Sequence, residues 1–146
     1  MLEAHEKVLQ FDTGLVTYHL NEQCDVVFNP TDSVFVEKLY AAFNDLDKKQ
    51  ESYQDQVSRM TDRAKIFDLM RQRDKEMREL IDSVFDGTPV STLLFGSMNV
   101  YAMASGLPVW ANLMLAIMDE VDTAFAREQK ATNPRVQKYM AKYRKK

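Results

Sequence analysis

Asn29-Pro30-Thr31-Asp32-Ser33-Val34-Phe35-Val36-Glu37-Lys38-Leu39-Tyr40-Ala41-Ala42-Phe43-Asn44-Asp45-Leu46 opens on a helix start and then repeats an apolar residue every three or four positions. Phe35, Val36, Leu39, Tyr40, Phe43 and Leu46 therefore share one face of an amphipathic helix. One reading of the start takes Asn29 as N-cap, Pro30 as the first helical residue and Asp32 as the group returning a hydrogen bond; a cap at Asp32 or Ser33 is the other. The stripe thins in Asp47 to Gln50, where this first helix is predicted to end. From Tyr53 a second stripe runs through Val57, Met60, Ala64, Phe67, Met70, Met77, Leu80, Ile81, Val84 and Phe85, a long helix either separate from the first or continuous with it. Between Met70 and Met77 only charged and polar residues occur, Arg71 to Glu76, which predicts a turn that is solvated or crosses its neighbour at a distance. Asp86-Gly87-Thr88-Pro89 ends the helix, since Gly accepts the left-handed conformation and Pro cannot continue the hydrogen-bond ladder.

Upstream, residues 8 to 28 read as a small antiparallel β unit. Val8 to Phe11, Leu15 to Leu20 and Asp25 to Phe28 are rich in β-branched and aromatic residues, and Asp12-Thr13-Gly14 and Asn21-Glu22-Gln23 separate them, so two or three short strands are expected. Such a unit is marginal alone and needs a helix or a partner chain over its apolar face. Downstream, Val90 to Phe95 and Met98 to Ala104, divided by Gly96 and closed by Gly106, read as two short helices. Pro108 then opens a last amphipathic helix with Val109, Trp110, Leu113, Met114, Ile117, Val121, Ala124 and Phe125 on one face. The expected fold is mainly α (α+β): a small N-terminal β hairpin or meander (8–28), then a bundle of about four to five helices (29–126). Together these make one globular domain over residues 1–126, followed by a basic, flexible or conditionally folded tail over 127–146.

Charge is distributed unevenly. Residues 127–146 hold eight basic side chains against the single acid Glu128; taking these from the chain's 19 basic and 22 acidic residues leaves 11 against 21, so a body of −10 carries a tail of +7. That body repels phosphate and no nucleic-acid-binding motif accompanies the tail, which argues against nucleic acid and for either intermolecular contact between tail and acidic body or a solvated end. Cys24 is the only cysteine, so an intrachain disulfide and a multi-cysteine metal site are excluded, in keeping with a reducing, cytoplasmic compartment. The start of the chain has no basic region leading into an apolar run, and nothing approaches the roughly 20 apolar residues of a membrane span.

No constellation for catalysis emerges. His5 and His19 lack the spacing of a helical metal site, there is no Gly-rich phosphate loop and no nucleophile elbow, and Cys24 beside Asp25 has its thiol pKa pushed the wrong way for reactivity. Asp45 with Asp47, and Asp119, Glu120 and Asp122, read as solvated helix faces rather than acid–base pairs. The sequence argues against an enzyme, with no catalytic residue, no metal and no cofactor. Met60, Met70, Met77, Met98, Met103, Met114 and Met118 fall on or beside the stripes, either filling the core or supplying an adaptable apolar surface; Met118, at a stripe edge, is the candidate for the second role.

Five segments resemble a known family: Phe28 to Asp32, Phe35 to Leu39, Arg78 to Phe85, Leu94-Phe95-Gly96-Ser97-Met98-Asn99-Val100-Tyr101-Ala102, and Gly106-Leu107-Pro108-Val109-Trp110-Ala111-Asn112. Over residues 8 to 125 the chain is similar to the tail assembly chaperones encoded just before the tape-measure gene in long-tailed (siphovirus-type) phages and prophages of Gram-positive bacteria. The basic tail carries none of the likeness. The resemblance implies a helical, non-enzymatic protein of the host cytoplasm, absent from the mature virion, that binds the long helix-rich tape-measure protein and keeps it soluble. It further implies association with itself and a longer frameshifted product from the same start. Phe95, Met98, Tyr101, Trp110 and Met118 are the candidates for binding a partner helix, and the alternative for Phe95 and Trp110 is packing in the core. Two other functions fit the same composition: a structural tail or connector component of the virion, and a small phage regulatory or anti-host binding protein.

Overall fold

The computed structural model describes residues 3–131, 133–136 and 138. Strands β1 (Val16–Leu20) and β2 (Cys24–Phe28) pair antiparallel, Val16 opposite Phe28 and Leu20 opposite Cys24. Two long helices follow, α1 (Ser33–Ser58) and α2 (Arg63–Ser83), then the short α3 (Val90–Phe95). A miniature hairpin of β3 (Met103–Ala104) and β4 (Leu107–Pro108) leads into α4 (Val109–Lys130). The expected α+β arrangement, a small β unit ahead of a helical body, is the one observed, with two strands in the first unit rather than three. Val8 to Phe11 form no strand and are exposed.

α1, α2 and α4 converge on one core whose fully buried side chains include Leu39, Leu46, Met77, Ile81 and Met114. The alternating burial of β2 seals one end: Cys24, Val26 and Phe28 point inward, and Phe28 stacks on Phe35 of α1 at 4.0 Å between ring centroids. α3 is tied to α2 by the Asp82 carboxylate, which accepts from Ser91 N–H (2.9 Å) and from Ser91 Oγ (3.1 Å), so the buried Ser91 is satisfied.

Several boundaries differ from the expected ones for identifiable reasons. Of the two starts read for α1, the cap at Asp32 is the one observed, its Oδ1 accepting from Val34 N–H. Asn29 instead organises the turn before it, its Oδ1 accepting from Thr31 N–H and its Nδ2 donating to Thr13 O. α1 does not end near Asp47 to Gln50 but runs on to Ser58, because Tyr53 continues the face of Leu46 and is itself buried. The chain then breaks at 59–62, where Asp62 caps α2 through Ala64 N–H, so the two helices are separate. Nothing between 54 and 72 is buried, and the tip of this helical pair therefore projects beyond the core. The second of the two short helices expected over 90–106 is absent: Ser105 (φ 55°) and Gly106 (φ 82°) form a two-residue turn between β3 and β4. Residues 127–130, expected in the tail, are the last turn of α4, where Arg127 and Lys130 favour the helix dipole. The tail from 139 on lies outside the described residues. Among the described residues no helix is long and apolar enough to cross a membrane.

Candidate functional site

Period-two alternation in β1 turns Tyr18 and Leu20 to the inner side of the hairpin, where Tyr18 stacks on Phe28 at 4.6 Å. Across from them, Leu113, Ile117 and Glu120 follow helical spacing on α4, and Leu94 and Phe95 close the third side from α3. The result is an open, mostly apolar groove of about 470 Å³ between the hairpin, α3 and α4. Its polar contact is Tyr18 Oη donating to Glu120 Oε1 at 3.3 Å. Burial, and then the Glu120 carboxylate, push the Tyr18 phenol above its ordinary pKa, so it remains a hydrogen-bond donor. Arg127 approaches the same carboxylate at 4.0 Å.

Of the residues singled out from sequence, Phe95 lines this groove. Tyr101 and Trp110 are buried: Tyr101 stacks on Tyr53 at 4.4 Å, while the Trp110 ring packs against Phe43 and its Nε1 donates to Gln50 Oε1 at 2.9 Å. Met118 is half-buried against the core and Met98 is exposed. Trp110 borders a separate cleft of about 300 Å³ with Phe43, Met103 and Leu107. The structure thus does not gather the five into one surface. Tyr18, Leu94, Leu113, Ile117 and Glu120 went unremarked as a group because they come from three segments whose packing no local pattern specifies.

The charged turn, expected to be solvated or to cross its neighbour at a distance, does the second: it is the main polar joint of the molecule. Asp74 accepts from Val100 N–H (2.8 Å) and from Arg78 Nε (2.9 Å), and Arg78 also donates to the carbonyls of Gly96 and Met98. Arg73 spans Glu76 (2.8 Å) and Gln56 (2.9 Å), and Lys49 reaches Glu76 from α1 at 3.2 Å. The hydrogen bond from Arg73, with help from Lys49, holds the Glu76 carboxyl below its usual range despite partial burial. These groups fix α2 against α1 and against the segment after α3; their carboxylates are committed to cations and backbone. Comparison with known proteins gives no relative. No family model matches the chain, and no curated protein or solved structure matches it significantly. Cys24 is buried, and burial followed by Asp25 and Asp82 raises its thiol pKa. His19 Nδ1 lies 2.6 Å from Asp25 Oδ1 on the exposed face of the hairpin. Among the described residues no group of three or more His, Cys, Asp or Glu could hold a metal ion. What the arrangement offers is an open, mostly apolar groove between β1, α3 and α4.

Proposed function

We propose that this protein is a tail assembly chaperone of the long-tailed phage type, taking one face of an amphipathic helix of a tape-measure protein into the groove between β1, α3 and α4. The observation that carries the reading is the groove itself: the half-buried Leu20, Leu94, Phe95 and Leu113 present apolar surface to solvent in one concave site, which the buried Ile117 also lines. A helix laying i, i+3/i+4 and i+7 side chains into such a groove is a recurrent recognition mode. The sequence resemblance supplies the client, and the acidic body of residues 1–126 supplies solubility to the complex. On this reading the protein works in the host cytoplasm during assembly and leaves before the virion matures.

The test is co-expression with a tape-measure protein followed by a salt-graded pull-down. Docking in the apolar groove predicts a complex that persists at about 1 M salt, where the Debye length falls to roughly 3 Å; capture by the basic tail predicts release. Ala116 lies exposed on the groove wall, so Ala116→Arg should abolish co-purification while leaving circular dichroism unchanged. A client that stays insoluble and never co-purifies would end the chaperone reading. Recovery of the protein in purified particles would then favour a virion component, and capture of a host protein a regulator.

A further inference from the structure

Among the described residues, 3–13 form no backbone–backbone hydrogen bond, and within this segment Val8, Leu9 and Phe11 are 86%, 83% and 77% exposed. Three adjacent large apolar side chains standing in water mark a surface that is covered in the working state. The segment reads as a strand in sequence, joined to β1 by Asp12-Thr13-Gly14, yet it does not fold back on β1. Its corner is held otherwise. Gly14 N–H donates to Asp12 Oδ1 at 2.8 Å, Asn29 Nδ2 donates to Thr13 O at 2.8 Å, and Gly14 sits at φ 74° with Asn29 packed where a Cβ would go.

Among the described residues β1 in turn has a strand neighbour on one side only, because its sheet has two strands. Two clefts follow it along α4. One, of about 580 Å³, lies between Leu15 and Val16 and the stretch from Ala124 to Glu128. The other is the groove already described, between Tyr18 to Asn21 and the stretch from Val109 to Glu120. A strand edge without a partner and unfilled space beside it run the length of β1.

We propose that residues 7–11 of one copy of this chain lie antiparallel along β1 of a second copy, and the reverse, closing a two-fold dimer by strand exchange. The exchange makes in trans the pairing that the sequence encodes in cis, without having to close the turn. One reciprocal contact satisfies both strand edges and both apolar segments with the same residues, which a single foreign strand does not do. Period two puts Leu9 and Phe11 on one face of the arm and Val8 on the other, so each arm seats mainly Leu9 and Phe11 against the partner. With the surfaces they cover, the two arms reach on the order of 1,000 Å², the small end of specific interfaces. The arm would enter the cleft beside Tyr18 to Asn21 and so compete there with a client helix, but the dimer is measured on this protein alone, so its failure and that of the client reading are distinguishable.

Sedimentation velocity on the full chain across the micromolar range tests it. The expected result is a monomer–dimer equilibrium that Val8→Asp combined with Phe11→Asp shifts to monomer, with unchanged circular dichroism. Amides of residues 7–11 should gain hydrogen-exchange protection as concentration rises. A wild-type chain that stays monomeric overturns the proposal, as does a dimer that survives the double substitution. Arm protection independent of concentration also overturns it, since that reports folding back within one chain.

Discussion

Tyr101→Phe should make this protein more stable. The Tyr101 ring is 8% exposed and stacked on Tyr53, but its hydroxyl has no protein hydrogen-bond partner. A buried hydroxyl without a partner costs about 1–3 kcal/mol. Phe keeps the ring and the stacking and removes the oxygen, so the gain is about 1–2 kcal/mol at neutral pH, a rise of roughly 2–8 °C in Tm for a domain of this size. Burial also pushes the Tyr101 pKa up to about 12, against an ordinary value of 10.0, because the phenolate is desolvated more than nearby Arg73 can offset. A folded pKa above the unfolded one contributes stability that is complete below pH 10 and lost as pH rises through about 12. At about 1.4 kcal/mol per unit, that loss approaches 3 kcal/mol for this group. Urea unfolding at pH 7 and in the range of phenol ionisation measures both effects: Tyr101→Phe should raise the midpoint at pH 7 and flatten the alkaline fall. The fall should not vanish, since burial also raises the phenols of Tyr18 and Tyr53. A variant less stable than wild type by about 1 kcal/mol or more would show that the hydroxyl is satisfied and the reasoning wrong.

Trp110→Ala should cost about 3–5 kcal/mol, since it removes a ring that is 2% exposed and leaves Gln50 Oε1 without its donor; unchanged thermal unfolding would refute the core placement. Asp74→Ala strips one acceptor from both Val100 N–H and Arg78, and should cost about 2–4 kcal/mol in chemical denaturation; a loss under about 0.5 kcal/mol would show that the α2 joint does not depend on it.

Patterns that depend on a residue's immediate neighbours were legible in the sequence. Pro108 opened α4, and the β-branched and aromatic residues of Leu15 to Leu20 and Asp25 to Phe28 marked the hairpin, while α2 stops at Ser83, a little before the end expected at Asp86 to Pro89. The errors arise where local chemistry is ambiguous. The polar run after Leu46 looks like a helix end, yet charged residues on a solvent face do not interrupt a helix, and the stop waits for Thr61-Asp62, which can cap the next one. Met98, Tyr101 and Ala102 mimic helical spacing, whereas Ser105-Gly106 carried a hairpin signal that outweighs it. Whether Arg73, Asp74 and Glu76 are solvated or reach a neighbour stayed open, because a charged turn gives no hint that Lys49, Gln56 and the Val100 amide are waiting for it. The groove was the least legible feature, since Tyr18, Phe95 and Ile117 meet only after three segments have packed; of the five candidates, Phe95 alone reached it.

The projecting tip of α1 and α2 makes the molecule open to grafting. Residues 59–62 join two helices whose nearest turns hold no fully buried side chain, only the partly buried Val57 touching the core, so a guest peptide inserted there adds mainly loop-closure entropy, about 0.6 kcal/mol for each doubling of loop length. Roughly 35 Å of helix separates Ser58 from Phe35, the α1 residue stacked against the hairpin. A fluorophore or affinity handle carried at the tip would sit at that distance from Phe28 and could report on what docks beside the hairpin without competing for the same surface.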